Sequence, residues 1–168
     1  MVEEQDSRLD SKARLLSQLI ERVGSDLATL ERAHEDALRG VTHDDSKPEG
    51  DKDMRSTEAS YVARGQAQRV VELQNALAAL QALPLRVFSA TDPVALGAQV
   101  TVDLEPTRVV FFVAPAAGGM RLRIDGTDVR IITPRSPLGQ ALLGRRVGDD
   151  VSWERPQGDA EGAIVEII

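Results

Sequence analysis

The chain has 168 residues, a formal net charge of −7 and no cysteine. The lack of cysteine excludes disulfides and thiolate metal sites and favours a cytoplasmic location. The acidic balance argues against direct non-specific binding to nucleic acid, which requires a basic surface. No run of about 18 apolar residues is present, so we predict no membrane association.

Residues 1–84 carry two apolar seams with the alternating four- and three-residue spacing of a coiled coil. The first seam consists of Leu9, Ala13, Leu16, Ile20, Val23, Leu27, Leu30, His34, Ala37 and Val41. The second consists of Ala59, Ala63, Gln66, Val70, Leu73, Leu77 and Leu80. A polar segment containing Pro48 and Gly50 separates the seams and must break the helix. We therefore predict that residues 1–84 form an antiparallel helical hairpin with a tip loop at residues 42–56.

Two polar residues interrupt the seams, and two leucines lie outside them. His34 and Gln66 fall close together in an antiparallel pairing, where a polar pair that fixes the register is the expected role. A purely structural, self-associating coiled-coil protein would need a second long apolar stripe. Leu15 and Leu19 are too few to form one, so we predict a monomer.

The segment around the predicted tip is rich in acids. Residues 44–58 contain the acidic side chains Asp44, Asp45, Glu49, Asp51, Asp53 and Glu58. Asp51 or Asp53 could cap the second helix. Together with Glu49 they also place three carboxylates within five residues, and carboxylate oxygens are ligands that Mg²⁺ accepts.

Residues 85–168 are predicted to form a small β domain with one short helix. The candidate strands are Val87–Ser89, Gln99–Leu104, Arg108–Ala114, Met120–Ile124, Thr127–Ile132, Val151–Arg155 and Ala163–Ile168. Asp125-Gly126 is typical of a tight hairpin turn. Ser136 can cap a helix with Pro137 at its first position. The chain is thus predicted to be an α+β protein with an antiparallel or mixed sheet.

Residues 136–149, S-P-L-G-Q-A-L-L-G-R-R-V-G-D, follow the helical hairpin and precede a predicted strand. In this context the run resembles the C-terminal domain of the bacterial Gre transcript-cleavage factors GreA and GreB. The resemblance implies an FKBP-like fold for residues 85–168 and docking on RNA polymerase, with Ser136, Pro137 and Leu138 in the docking surface. It also implies that the coiled coil enters the secondary channel of the polymerase. The chain would then assist the polymerase without being an enzyme itself, and would reach nucleic acid only within that complex.

The same resemblance gives the acidic tip a role. The family begins its second helix with a run similar to D-L-x-E-N-A-E-Y. Asp53 matches its Asp, whereas Ser56 stands at the position of the Glu. Aligning Glu49-Gly50-Asp51 with the family's E-G-D instead puts Met54 at that position.

Two hypotheses follow for the tip. In the first, Glu49, Asp51 and Asp53 act inside the polymerase, Asp51 and Asp53 bind a Mg²⁺ shared with its active site, and the factor stimulates cleavage of backtracked RNA. In the second, the chain is a non-cleaving secondary-channel regulator or inhibitor.

Overall fold

The computed structural model describes residues 2–42 and 52–168. The described elements are α1 (Val2–Thr42), α2 (Lys52–Gln81), β1 (Gln99–Asp103), β2 (Arg108–Val113), β3 (Arg121–Ile124), β4 (Thr127–Ile132), α3 (Pro137–Leu142), β5 (Asp150–Trp153) and β6 (Ala160–Ile167). The chain divides into two compact units, one of Glu21–Ala78 and one of Met1–Ile20 with Ala79–Ile168. The predicted α+β class is confirmed. None of the described helices is both long and apolar enough to cross a membrane.

The unit of Glu21–Ala78 contains parts of both long helices. Val23 and Leu27 of α1 and Leu73 of α2 are buried, as the seams predict. The Nε2 atom of Gln74 donates a hydrogen bond to Oε1 of Glu31 at 3.2 Å, which links the two helices. His34 is half-buried, and its buried Nδ1 has no hydrogen-bond partner among the described residues, so this atom forms no polar pair with Gln66.

The second unit is built on a six-stranded sheet with the order β3-β4-β2-β1-β6-β5. Neighbouring strands are antiparallel except for β2 and β4, which run parallel, so the sheet is mixed. Residues 87–89, predicted as a strand, lie in an irregular segment instead. The apolar character of Phe88 explains the wrong prediction, because this side chain is buried without belonging to a strand.

One face of the sheet packs against α3. Phe111 and Val113 of β2 belong to a buried cluster that also contains Leu138 and Leu142 of α3. Because side chains alternate along a strand, Phe112 points to the opposite face, where it is also buried. Both faces of this part of the sheet are therefore covered.

Polar contacts join α1 to the turn between β3 and β4. Ser11 Oγ and Arg14 Nη2 both donate to Oδ2 of Asp125, at 2.9 and 2.6 Å. These two hydrogen bonds lower the pKa of the Asp125 carboxyl below its ordinary value, and the bond from Arg14 has the larger effect. Leu15 and Leu19, which lie outside the predicted seam, have no exposed surface. The helix therefore buries a wider stripe here than the coiled-coil pattern predicts.

Lys12 lies on that wider stripe and is completely buried. Its Nζ donates to the carbonyl oxygens of Arg86 at 2.6 Å and Ile168 at 3.0 Å. The same atom lies 4.7 Å from the centroid of the Phe88 ring. Burial, and secondarily the charge of Arg86, lowers the pKa of Lys12 from 10.5 to about 8. This lysine fastens α1 to both ends of the segment that forms the β domain.

Candidate functional site

An open groove of about 620 Å³ lies beside the N-terminal end of α3, where Ser136 and Pro137 are found. It is also bordered by β3, β4 and the segment that follows β5. Its apolar lining consists of Phe111, Ile131, Ile132, Pro137, Leu138, Trp153 and Pro156. All of its lining residues belong to one compact unit. The groove therefore contains all three residues that the sequence assigned to partner docking, together with side chains that the sequence did not single out.

The three predicted docking residues have different surroundings. Ser136 caps α3, since its Oγ donates to the carbonyl of Thr133 at 2.8 Å and accepts from the Gly139 amide at 3.0 Å. Leu138 is 8% exposed and belongs to the sheet core. Pro137 is exposed. Ser136 and Leu138 therefore shape the groove from within, and Pro137 is the member of the trio that a partner can touch most directly.

The cap requires a glycine three residues after Ser136. A Cβ atom built on Gly139 would lie 1.9 Å from the carbonyl oxygen of Thr133, a backbone atom that cannot move aside alone. The turn from β4 into α3 is consequently tight, and the S-P-L-G sequence matches this geometry at two positions. Part of the motif that resembles Gre factors is thus explained by local structure.

Arg121 and Arg130 line one side of the groove. They are directly opposite each other in the antiparallel pairing of β3 with β4, so their Cβ atoms are about 5 Å apart. Both are exposed, and no residue in the described parts of the chain forms an ion pair with either. The next pair on the same face is matched, since Arg123 Nε lies 3.9 Å from Asp128 Oδ1.

Trp153 and Arg155 lie on the β5 side of the groove. The Arg155 guanidinium carbon is 6.0 Å from the Trp153 ring centroid, at the outer limit of a cation–π contact. The lining thus includes three arginines and one acid, Glu154, giving a formal charge of +2 in a chain whose net charge is −7. Sequence reasoning missed the arginines because it treated each strand separately. The Asp125-Gly126 turn contained the signal, since a two-residue loop fixes the register of the pair.

The acidic tip cannot be placed in the same way. Glu49 and Asp51 lie outside the described residues, and of Asp53 the structure describes only the helical backbone in α2. Within the described ranges, no group of three or more His, Cys, Asp or Glu side chains could hold a metal ion. The predicted Mg²⁺ ligands therefore remain a prediction from sequence.

Comparison with known proteins places the groove in a recognised domain. The model of the family "Transcription elongation factor, GreA/GreB, C-term" matches residues 89–168. GreA of Chlorobium phaeobacteroides is 45% identical over 42 residues, covering 25% of this chain and 26% of the relative. An uncharacterized protein of Mycobacterium tuberculosis is 40% identical over 42 residues, with the same two shares.

Two solved structures show weaker likeness over more of the chain. The GreA factor homolog 1 (Gfh1) protein of Thermus thermophilus is 23% identical, covering 92% of this chain and 93% of that one, with a TM-score of 0.37. The GreA/GreB factor of Nitrosomonas europaea is 24% identical, covering 56% and 78%, with a TM-score of 0.34. Likenesses at these TM-scores do not bear on function.

The chain spans about a quarter of the length of the curated relatives that it matches, in the case of the Chlorobium GreA 26%. The family model extends further, from residue 89 to residue 168, and so covers the whole sheet, α3 and the groove. Residues 89–168, slightly less than half of the chain, are therefore similar to the GreA/GreB C-terminal domain.

Proposed function

We propose that the chain is a bacterial transcription elongation factor that binds RNA polymerase through the groove beside α3. The observation that carries this proposal is the GreA/GreB C-terminal domain match over the residues that build the groove. An open groove with an apolar floor, an exposed proline and a tryptophan has the composition of a protein-binding surface. The factor acts in the cytoplasm, as a monomer, on the polymerase and its RNA.

The coiled-coil tip enters the secondary channel in this proposal, and its carboxylates act beside the polymerase active site. Asp51 and Asp53, with Glu49 close by, would hold the second Mg²⁺ that the polymerase binds weakly. Their oxygen donors are of the type that this ion accepts. When bound, the ion stabilises charge and activates water for phosphodiester hydrolysis. The catalytic centre belongs to the polymerase, so the factor stimulates cleavage of backtracked RNA without being an enzyme.

A second candidate function is favoured by one residue. Ser56 stands where the Gre pattern has a glutamate, so one carboxylate of the usual pair is absent in that alignment. A factor with this change could occupy the channel and inhibit or modulate transcription without cleaving RNA. The two candidates share the docking step and differ only in the chemistry of the tip.

A transcript-cleavage assay separates these candidates. The purified chain is added to backtracked elongation complexes of the polymerase from the same organism, with 5′-labelled RNA and Mg²⁺, and binding is measured in the same samples. Shortened RNA that can be extended again supports the cleavage factor. Intact RNA with binding supports the non-cleaving regulator, and intact RNA without binding refutes the proposal.

Variants of the tip give the assay a matched control. For a cleavage factor, Asp51→Ala and Asp53→Ala should each abolish most of the stimulation while polymerase binding is retained. Asp44→Ala removes one acid from the same segment and should leave cleavage unchanged. For a non-cleaving factor, Ser56→Glu should introduce measurable cleavage. If the Asp51 and Asp53 variants cleave as well as the unmodified chain, the assignment of the tip residues is wrong.

A further inference from the structure

The facing arginines of the groove are unfavourable for the fold by themselves. Like charges directly opposite each other on neighbouring antiparallel strands repel, and Arg121 and Arg130 occupy such a position. Two positions along the same hairpin, Arg123 faces Asp128 and the charges are complementary. The hairpin can therefore place an acid opposite an arginine, but it presents two arginines at the pair that lines the groove.

The two guanidinium groups border a groove with an apolar floor, so one ligand can contact both features. Phe111, Trp153 and Pro137 line the same space as the arginine pair. Guanidinium groups bind carboxylates through paired hydrogen bonds, and two of them at this spacing can share one carboxylate or hold two neighbouring ones. A ligand that fits both features has acidic side chains next to an apolar one.

We propose that Arg121 and Arg130 are specificity-determining residues that bind an acidic segment of the polymerase surface, with its apolar neighbour seated against Trp153. This inference rests on the proposed function, because the polymerase is the partner it assumes. It adds that carboxylates of the partner are recognised by the β3–β4 hairpin, while Ser136 and Leu138 only shape the groove.

Nucleic acid is the competing occupant of an arginine-lined groove. A phosphate backbone would have to approach a chain of net charge −7, and the counterion release that drives such binding requires a broad basic surface. The floor is mainly apolar and contains one tryptophan, which suits a peptide segment better than a run of phosphates. The observations therefore favour an acidic protein segment.

The test measures polymerase binding by charge-reversal variants of the full-length chain. Because the chain has no cysteine, a single Ser7→Cys substitution on the exposed surface of α1 allows one fluorescent label. Arg121→Glu and Arg130→Glu are compared with Arg123→Glu, which makes the same charge change on the same face of the hairpin but outside the groove lining. We expect the two groove variants to weaken binding at least about tenfold and the control to change it less than about twofold.

Two further measurements make the test specific. Thermal melting should show that both groove variants remain folded, with a Tm equal to or above that of the unmodified chain, since they remove the arginine repulsion. Arg121→Lys keeps the charge but loses the planar donor pair, so we expect a binding loss smaller than that of Arg121→Glu.

Each outcome bears on a different statement. If the unmodified chain does not bind polymerase, the proposed function fails. If it binds and all three arginine variants bind equally well, this inference fails while the proposed function stands. If the free chain binds labelled single-stranded RNA and only the groove variants lose that binding, the occupant is nucleic acid and the inference is wrong. Selective loss of polymerase binding in the groove variants supports it.

Discussion

The burial of Lys12 predicts a stability profile that depends on pH in an unusual range. Its amino group is enclosed by the carbonyls of Arg86 and Ile168 and by the Phe88 ring, and burial lowers its pKa from 10.5 to about 8. In the unfolded chain this lysine keeps its proton up to about its ordinary pKa. Between the two values the unfolded state binds more protons than the folded state, so the free energy of unfolding increases with pH.

The magnitude follows from the two pKa values. The contribution is absent below about pH 8, increases up to 10.5 and is complete above it. One pKa unit corresponds to about 1.4 kcal/mol, so the shift of Lys12 from 10.5 to about 8 contributes at most about 3.5 kcal/mol, and solvent screening lowers this value. Between pH 7 and pH 9 the expected increase is about 1.3 kcal/mol.

Urea unfolding followed by circular dichroism, from pH 7 to pH 10, measures this contribution. The matched control is Lys12→Met, which keeps the shape of the side chain and cannot titrate. The other titrating groups are the same in both proteins, so the difference in unfolding free energy isolates Lys12. We expect the free energy of unfolding of the unmodified chain to increase relative to that of the variant as the pH rises above 8. A difference that stays constant over the whole range would show that Lys12 keeps its ordinary pKa and that the buried amino group is solvated.

Four other substitutions test the geometry of the same chain by chemical unfolding. Gly139→Ala should destabilise the chain by about 2–4 kcal/mol because its Cβ meets the carbonyl of Thr133. Gly65→Ala, with open space around its Cβ in α2, should stabilise the chain by up to about 1 kcal/mol. Stability changes of the same sign for both variants would contradict the contact at Gly139. Ser136→Ala should cost about 1 kcal/mol through loss of the cap, and a polymerase affinity that falls more than the folded fraction does would show that the hydroxyl also contacts the partner. Arg130→Glu should stabilise the hairpin by about 0.2–1 kcal/mol through its new cross-strand partner, and a clear loss of stability would mean that the arginine pair is already satisfied.

Local patterns predicted the elements of this fold well. The four- and three-residue spacing identified two helices, and the structure places both where the seams lie, with Val23, Leu27 and Leu73 buried. Turn chemistry identified the β3–β4 hairpin, and capping chemistry identified α3 with Ser136 as its cap. Each of these features depends on residues within a few positions of one another, which is why sequence alone sufficed.

Features that depend on distant parts of the chain were missed. Lys12 falls outside the coiled-coil seam, and a lysine at such a position is expected to face solvent. It is buried instead, and its two hydrogen-bond partners lie 74 and 156 residues away in sequence. No short turn connects β2 with β4, so no turn motif indicated their parallel pairing. The sheet could therefore be predicted only as antiparallel or mixed. The groove could not be predicted for the same reason, because it forms only where β4, α3 and the end of β5 come together in the fold.

The arginine pair connects stability with function in a way that single measurements would miss. An ordinary exposed arginine contributes little to stability and little to recognition, so replacing it by glutamate changes neither by much. Arg121 and Arg130 face each other, so replacing one should raise stability and weaken partner binding at once. Opposite changes of this kind are expected where a local rule of folding is broken for the sake of a binding site. Measuring Tm and polymerase affinity on the same Arg130→Glu sample therefore distinguishes a recognition surface from plain solvated charge, and the matched Arg123–Asp128 pair supplies the reference within the same hairpin.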